Sequence, residues 1–416
     1  MTDQPLTERS HRLARMVGRD PNASHRAATP LELLFDLTFV VAFGQAADQL
    51  AHFVAAGHWQ LGLLGFVFAI FAACWAWINF SWFASAYDTD DWFYRVATMV
   101  QMIGVIVFAL GLPAMFASLE HGDHIDNGVM VAGYVIMRVA LIAQWLRAAK
   151  QDESRRATAL SYALFVSIAQ VGWVLLAALN ITATVFIVVA VLLFVVEFMG
   201  PVLAERKTEG TPWHPHHIAE RYGLLAIIAL GEGIFGTVAA VSVLVQEQNW
   251  STEAVLIVVA GVGLTFGMWW SYFILPSGEI LAKYRMRSFV WGYAHIVIFG
   301  AIAAVGAGLH VAAYVIEDHA EVGVFGAILA VAVPVMVFVI GLFSIYTYML
   351  REFDPFHVTL VAATVALLVL AVVLAGLGAS IGLCLIIITL APAVTVVGYE
   401  TIGHRHQAAA LARTLA

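Results

Sequence analysis

The sequence predicts an all-α fold: a polytopic transmembrane helix bundle of about 12 spans with both termini in the cytoplasm. Three observations carry this. First, of 416 residues 62% are hydrophobic and only 12% are charged, against roughly 25% charged in a soluble domain; the mean hydropathy is +0.89. Second, the apolar runs are continuous and about 20 residues long, enough to span a bilayer as a helix, and unlike the short alternating stretches of a membrane barrel. Third, the basic residues of the connections gather in alternate ones. Cys74 and Cys384 both lie in apolar runs, so neither a disulfide framework nor a thiolate metal site is indicated.

Residues 1–29 form a basic tail carrying Arg9, Arg12, Arg15, Arg19 and Arg26. It lacks the apolar core and cleavage site of a signal peptide, so it is expected to remain on the mature protein in the cytoplasm. Leu13, Met16 and Val17 group as one short apolar face, which fits a surface helix on anionic lipid; a disordered basic tail acting as a topology signal fits equally well. Pro30 stands where the first helix starts, a position that does not need its missing N–H. From there the runs fall at 31–54, 60–86, 93–118, 127–149, 157–178, 181–203, 217–245, 253–275, 287–316, 322–350, 356–376 and 379–400. Pro113 and Pro334 predict kinks or early ends in the third and tenth. The organisation is a first six-helix half over 30–203, a cytoplasmic linker over 204–216, a second half over 217–400 and a cytoplasmic C-terminal tail over 401–416.

Charge tests the count, because basic residues favour cytoplasmic connections. Arg147, Lys150, Arg155 and Arg156 border the fourth connection, Arg206 and Lys207 the sixth, Lys283, Arg285 and Arg287 the eighth, and Arg351 the tenth. The six connections of the other set hold neither Lys nor Arg. One span more or fewer would scramble this pattern. A faint internal similarity points to a 6+6 parallel repeat: NFSWF at 79–83 resembles WWSYF at 269–273, and runs one and seven both begin with a glutamate and carry Gly44-Gln45 or Gly231-Glu232 midway.

Candidate functional residues follow from the expense of ionisable groups in lipid, which marks them as sites more often than as packing. In LELLFDLTFV (31–40), Glu32 and Asp36 are four apart and share a helix face. Two close carboxylates exchange a proton readily, as a proton or cation relay requires; Glu32, in the first turn, also serves the helix dipole. In HHIAERYGLLAIIALGEGIFGT (216–237), His217 and Glu220 are three apart beside Arg221, and Glu232 lies between Gly231 and Gly233. His-x-x-Glu occurs in di-metal bundles together with a second copy, which this sequence lacks, so ion pairing of Glu220 and Arg221, with Asp36 as a partner, is the favoured reading. Glu232 lies about 18 Å further along the helix, near mid-membrane, with glycines that permit close approach. Asn79, Arg138, Glu197 and His295 complete the inventory, with Glu232 or Asp36 expected to pair with Arg138. By depth, Asp36, Asn79, Glu197, Glu220, Arg221 and His295 share the cytoplasmic half, and a polar cavity opening inward unites them; a purely structural network is the alternative.

The outer segment HGDHID (121–126) has cation-ligating residue types, but its spacing matches no standard ligand pattern and suits a solvated loop. The acidic Asp88, Asp90 and Asp91 occupy the connection where a major-facilitator transporter would carry a basic motif. Lys150, Lys207 and Lys283 all lie in connections, which leaves no buried lysine for a Schiff base, and there is no phosphate-binding loop of the ATPase type.

LELLFDLTFV at 31–40, taken with ERYGLLAIIALGE at 220–232, resembles the bacterial low temperature requirement protein A family over the whole membrane portion. The resemblance implies a multi-spanning bacterial inner-membrane protein linked to growth in the cold, and its motif positions are Glu32, Asp36, Glu220, Arg221, Gly231 and Glu232. The expected function is that of a transporter or ion-translocating protein with an intramembrane carboxylate site. In it Glu232 and Asp36 bind and release a proton or cation, while Arg138 and Arg221 tune them or pair with an anionic substrate. An intramembrane enzyme using His217, Glu220 and Glu232, or a non-transporting sensor or assembly factor, are the alternatives. The partners expected are the lipid bilayer and a small ion or molecule; no cofactor, metal or nucleic acid is called for.

Overall fold

The computed structural model describes residues 13–23, 26–121, 124–179 and 181–415, the side chains of His121, Ala183, Glu247 and Gln248 apart. Among them there is no strand. Twelve helices are long and apolar enough to cross a membrane: α1 (Pro30–Ala55), α2 (Trp59–Tyr87), α3 (Trp92–His121), α4 (Gly128–Gln151), α5 (Arg156–Ala178), α6 (Ala183–Ala204), α7 (Pro215–Gln248), α8 (Thr252–Tyr272), then, after the short α9 (Ser277–Lys283) and a 3-10 turn at Arg285–Arg287, α10 (Ser288–Ile316), α11 (Val324–Leu350), α12 (Pro355–Gly376) and α13 (Ile381–Gly398). This apolar surface requires a lipid bilayer, because every backbone group within hydrocarbon has to be paired inside its own helix.

The structure sharpens three expectations. Of the kink or early end expected at Pro113 and Pro334, the early end does not occur: both lie inside α3 and α11, which continue past them, as membrane helices tolerate when neighbouring groups satisfy the freed carbonyl. Residues 13–20 form no helix. They run without regular secondary structure along two connections, where side chains accept their N–H groups: Ala14 donates to Asp91 (3.1 Å), Met16 to Gln151 (2.6 Å) and Gly18 to Asp152 (3.0 Å). Arg9 and Arg12 lie outside the described residues, as do Gly122 and Asp123 of the 121–126 segment. Finally, the C-terminal tail is helical: a π-turn at Tyr399–Gly403 leads into α14 (His404–Leu415).

Two compact units divide the chain. The first comprises Met1–Gln45 and Ala72–Arg221, the second Ala46–Phe71 and Tyr222–Ala416. In the first, α3, α4, α5 and α6 pack each against the next. Small residues let α3 and α4 approach closely: a Cβ on Gly104 would lie 2.6 Å from the Met137 side chain. Aromatic pairs fix the level of α4 against α5, with Trp145 stacked on Tyr162 (4.3 Å) and Tyr134 edge-on to Trp173 (6.4 Å). In the second unit α10 packs on α11, α11 on α12, α12 on α13 and α13 on α8. The α8–α13 seam is closed by Gly263 and Gly267 against Thr389 and Pro392, and Thr389 Oγ1 donates to the Ala260 carbonyl (2.9 Å).

Candidate functional site

Three buried polar clusters hold most of the residues singled out from the sequence. The first unit contains two of them. Where α1 begins, Glu32 and Asp36 project from successive turns, and the first turns of α7 bring Arg221 and His217 to them. The Arg221 guanidinium grips Asp36 with two bonds, one of them Nε to Oδ2 at 3.0 Å and the other Nη2 to Oδ1. Its Nη1 lies 3.0 Å from Glu32 Oε1, off the hydrogen-bond line but within ion-pair range. Trp77 Nε1 donates to Asp36 Oδ1 (2.6 Å), and Glu32 Oε2 accepts from the Thr29 N–H (2.7 Å) and sits 3.2 Å from His217 Nε2. Glu32, Asp36, His217 and Arg221 are all fully buried. Such an arrangement spreads one guanidinium over two carboxylates, and breaking it would leave an uncompensated buried charge.

The connections supply an outer layer. Arg26, buried in the tail, lies 3.7 Å from Glu32 and 4.0 Å from Asp88. Burial pulls the Arg26 guanidinium below its ordinary value against the attraction of Glu32. At Asp88 burial, reinforced by the negative charge of Glu32, pushes the carboxyl up to about 6 while Arg26 and Arg19 oppose the shift. Glu220 is turned to the surface and accepts from the Ala28 N–H (3.3 Å), whereas His217 is turned inward to Glu32. His217 and Glu220 therefore do not converge on a shared metal or substrate atom, despite their spacing.

The second cluster corrects the expected partner of Arg138. Arg138 binds neither Glu232 nor Asp36; its Nη2 lies 3.1 Å from Glu197 Oε2 and 2.5 Å from the Tyr134 hydroxyl. Glu197 is fully engaged: Trp75 Nε1 donates to Oε2 (2.5 Å), and the Tyr134 hydroxyl (3.1 Å) and Trp173 Nε1 (3.2 Å) donate to Oε1. Asn79 bonds one turn back to the Trp75 carbonyl (2.8 Å). The sequence signal available for these partners was the run of tryptophans at 75, 77 and 173, since a buried indole N–H needs an acceptor.

The second unit holds Glu232, which is only 3% exposed and receives no hydrogen bond or ion pair among the described residues. The charged group acting on it is Asp48 of α1, which also acts on His310 and Tyr314 of α10. Close helix approach occurs here, at one of the two glycines that flank the glutamate and at a further pair: a Cβ on Gly233 would lie 2.7 Å from Thr265 Oγ1 of α8. Gly231 faces open space, whereas a Cβ on Gly306 of α10 would lie 2.6 Å from the Glu232 Cβ, and one on Gly236 would lie 2.6 Å from the Gly306 carbonyl. The backbone of α10 thus rests directly on Glu232, and His310 follows Gly306 by one turn. His310 escaped the sequence reading, although a histidine late in an apolar run was the signal. His295 is a core residue: its Nδ1 lies 2.7 Å from the Trp291 carbonyl, and the rings of Tyr222, Tyr272, Trp291 and Phe299 surround it at 4.4–5.7 Å.

Residues 27–392 match the family model described as bacterial low temperature requirement A protein (LtrA). The chain is also similar to an uncharacterized protein of Rhizobium meliloti (strain 1021), 27% identical over 306 residues that cover 70% of either chain. No solved structure matches. Membrane-spanning throughout the matched region, the chain belongs to the bacterial low temperature requirement A protein family.

Proposed function

We propose that this protein is a transporter or ion-translocating protein of the bacterial inner membrane, in which Glu232 binds and releases a proton or small cation. The observation that carries the reading is the contrast among buried carboxylates. Glu32, Asp36 and Glu197 are each committed to an arginine, while Glu232 has no partner among the described residues. A buried carboxylate without a partner is the group whose charge is costly enough to be neutralised by a proton or a cation. Asp48, whose charge acts on both Glu232 and His310, and His310, one turn from the Gly306 that rests on Glu232, would pass the ion onward. The two paired clusters of the first unit are scaffold on this reading, with Asp36 held by Arg221 instead of exchanging its own proton.

Purified protein in liposomes loaded with a pH-sensitive dye tests this. Flux is expected from the wild type and is expected to fall to the empty-liposome background in Glu232→Gln. Asp36→Asn leaves Arg221 short of its counter-charge, a loss on the order of 3–5 kcal/mol, so its defect should appear as a lowered melting temperature. Flux unchanged in Glu232→Gln would remove that residue as the carrier.

A further inference from the structure

The second unit contains a site that the Glu232 reading does not use. Where the tight α8–α13 seam ends, one turn past Gly267 and Pro392, a cavity of about 30 Å³ opens between α8, α11, α12 and α13. Its walls carry hydrogen-bonding groups, two of them without partners. Thr395, 4% exposed, has a buried hydroxyl that meets no partner, and His357 Nδ1 is equally unmatched. The His357 ring is held edge-on to Tyr346 at 4.5 Å and against Phe343 at 4.9 Å. Buried polar atoms are nearly always satisfied, so two unmatched ones on residues that line one cavity point to an occupant.

The cavity adjoins an open groove of about 450 Å³ on the outer surface of α8, lined by aromatic rings that include Trp269, Trp270 and Phe273. Ile274 and Tyr399 line both spaces. Gln407 of α14 ties these two together, accepting from the Tyr399 hydroxyl (2.8 Å) and donating to the Ile274 carbonyl (2.9 Å). The π-turn that starts at Tyr399 widens the backbone at this point, and such turns recur at functional sites.

Chemistry and size together select the ligand. Neither space is lined by Lys, Arg, Asp or Glu, so a phosphate or ammonium headgroup would enter without a counter-charge. The inner cavity holds about two water-sized centres, enough for a hydroxyl or carbonyl end and too small for a phosphate. We propose that this site binds an uncharged amphiphile from the bilayer, a long-chain alcohol or ketone. Its chain lies in the aromatic groove, and its oxygen meets the Thr395 hydroxyl and His357 Nδ1.

The test uses the full chain in lipid nanodiscs with a hexadecanol that carries a diazirine in its chain. After irradiation, adducts are mapped by mass spectrometry. They are expected on the peptides holding Trp269–Ile274 and Tyr399, to be competed by unlabelled hexadecanol, and to be several-fold fewer with a probe ending in methyl. Thr395→Val should cut labelling about fivefold, the effect of losing one neutral hydrogen bond, and Thr395→Ser should restore it. Equal labelling by the methyl-ended probe, or labelling that unlabelled hexadecanol does not compete, would reduce the groove to an acyl-chain contact and overturn the proposal. That competition needs only the wild-type protein, so the result stands even if Thr395→Val does not fold. Intact liposome flux alongside lost labelling would leave the Glu232 reading untouched, and the reverse result would leave this one untouched.

Discussion

At the scale of single residues, Asp88 shows how a buried cluster makes stability depend on pH. Its Oδ1 accepts the Asp90 N–H at 2.8 Å, while Arg19 and Arg26 stand 3.9 and 4.0 Å from Oδ2, too far for strong pairing. Burial and the charge of Glu32 raise the carboxyl from its ordinary 3.8 to about 6. A raised acid binds its proton more tightly in the folded state. Its stabilisation is therefore complete below pH 4 and is lost as pH rises through 6, by about 3 kcal/mol at most. Asp88→Asn removes the titration and keeps an acceptor for Asp90. The variant should lose less melting temperature than the wild type between pH 4 and 6 and should melt higher above pH 7. Parallel melting curves for the two proteins across that range would show that Asp88 does not titrate there.

At the scale of helices, close crossings depend on particular glycines. Where α7 meets α10, a methyl group on Gly306 would stand 2.6 Å from the Glu232 Cβ and backbone, so a shift of the whole helix would be needed to make room. Gly231, beside the same glutamate, has no neighbour within 4 Å. Gly306→Ala should therefore destabilise by about 1–3 kcal/mol through overpacking, whereas Gly231→Ala should be neutral or slightly stabilising through helix propensity. Thermal unfolding in detergent distinguishes the two, and equal melting temperatures would argue against the crossing. The sequence pointed to the pair beside Glu232, and of that pair Gly233 meets Thr265 of α8 while Gly231 meets nothing. Which glycine meets a partner depends on how far the second helix is rotated, which the α7 sequence does not encode. The same limit explains Arg138. Its need for a carboxylate was legible from its place in an apolar run, but Glu197 was distinguishable from Glu232 only once the levels of α4, α5 and α6 were fixed by pairs such as Trp145 on Tyr162.

At the scale of the molecule, the twelve helices were the most legible feature, because length and hydropathy are summed over some twenty residues and tolerate local error. The tail was less legible, since its backbone is satisfied by Asp91, Gln151 and Asp152, which lie far away in sequence. Sidedness rests on charge. With the observed helix bounds, the connections at 56–58, 122–127, 179–182, 249–251, 317–323 and 377–380 still contain neither Lys nor Arg, while Arg155, Arg206, Lys207, Lys283 and Arg351 fall in the other set. If the basic set is cytoplasmic, a membrane-impermeant maleimide added to intact cells should label His58→Cys and His319→Cys but should label Lys207→Cys and Arg351→Cys only after lysis. All four positions are exposed, and the natural Cys74 and Cys384 are buried and should remain silent. Labelling of Lys207→Cys in intact cells would invert the topology. Under the proposed function it would also reverse the side from which an ion would reach Glu232, because Asp48 and His310 lie toward the end of the helices that joins the Lys- and Arg-free connections.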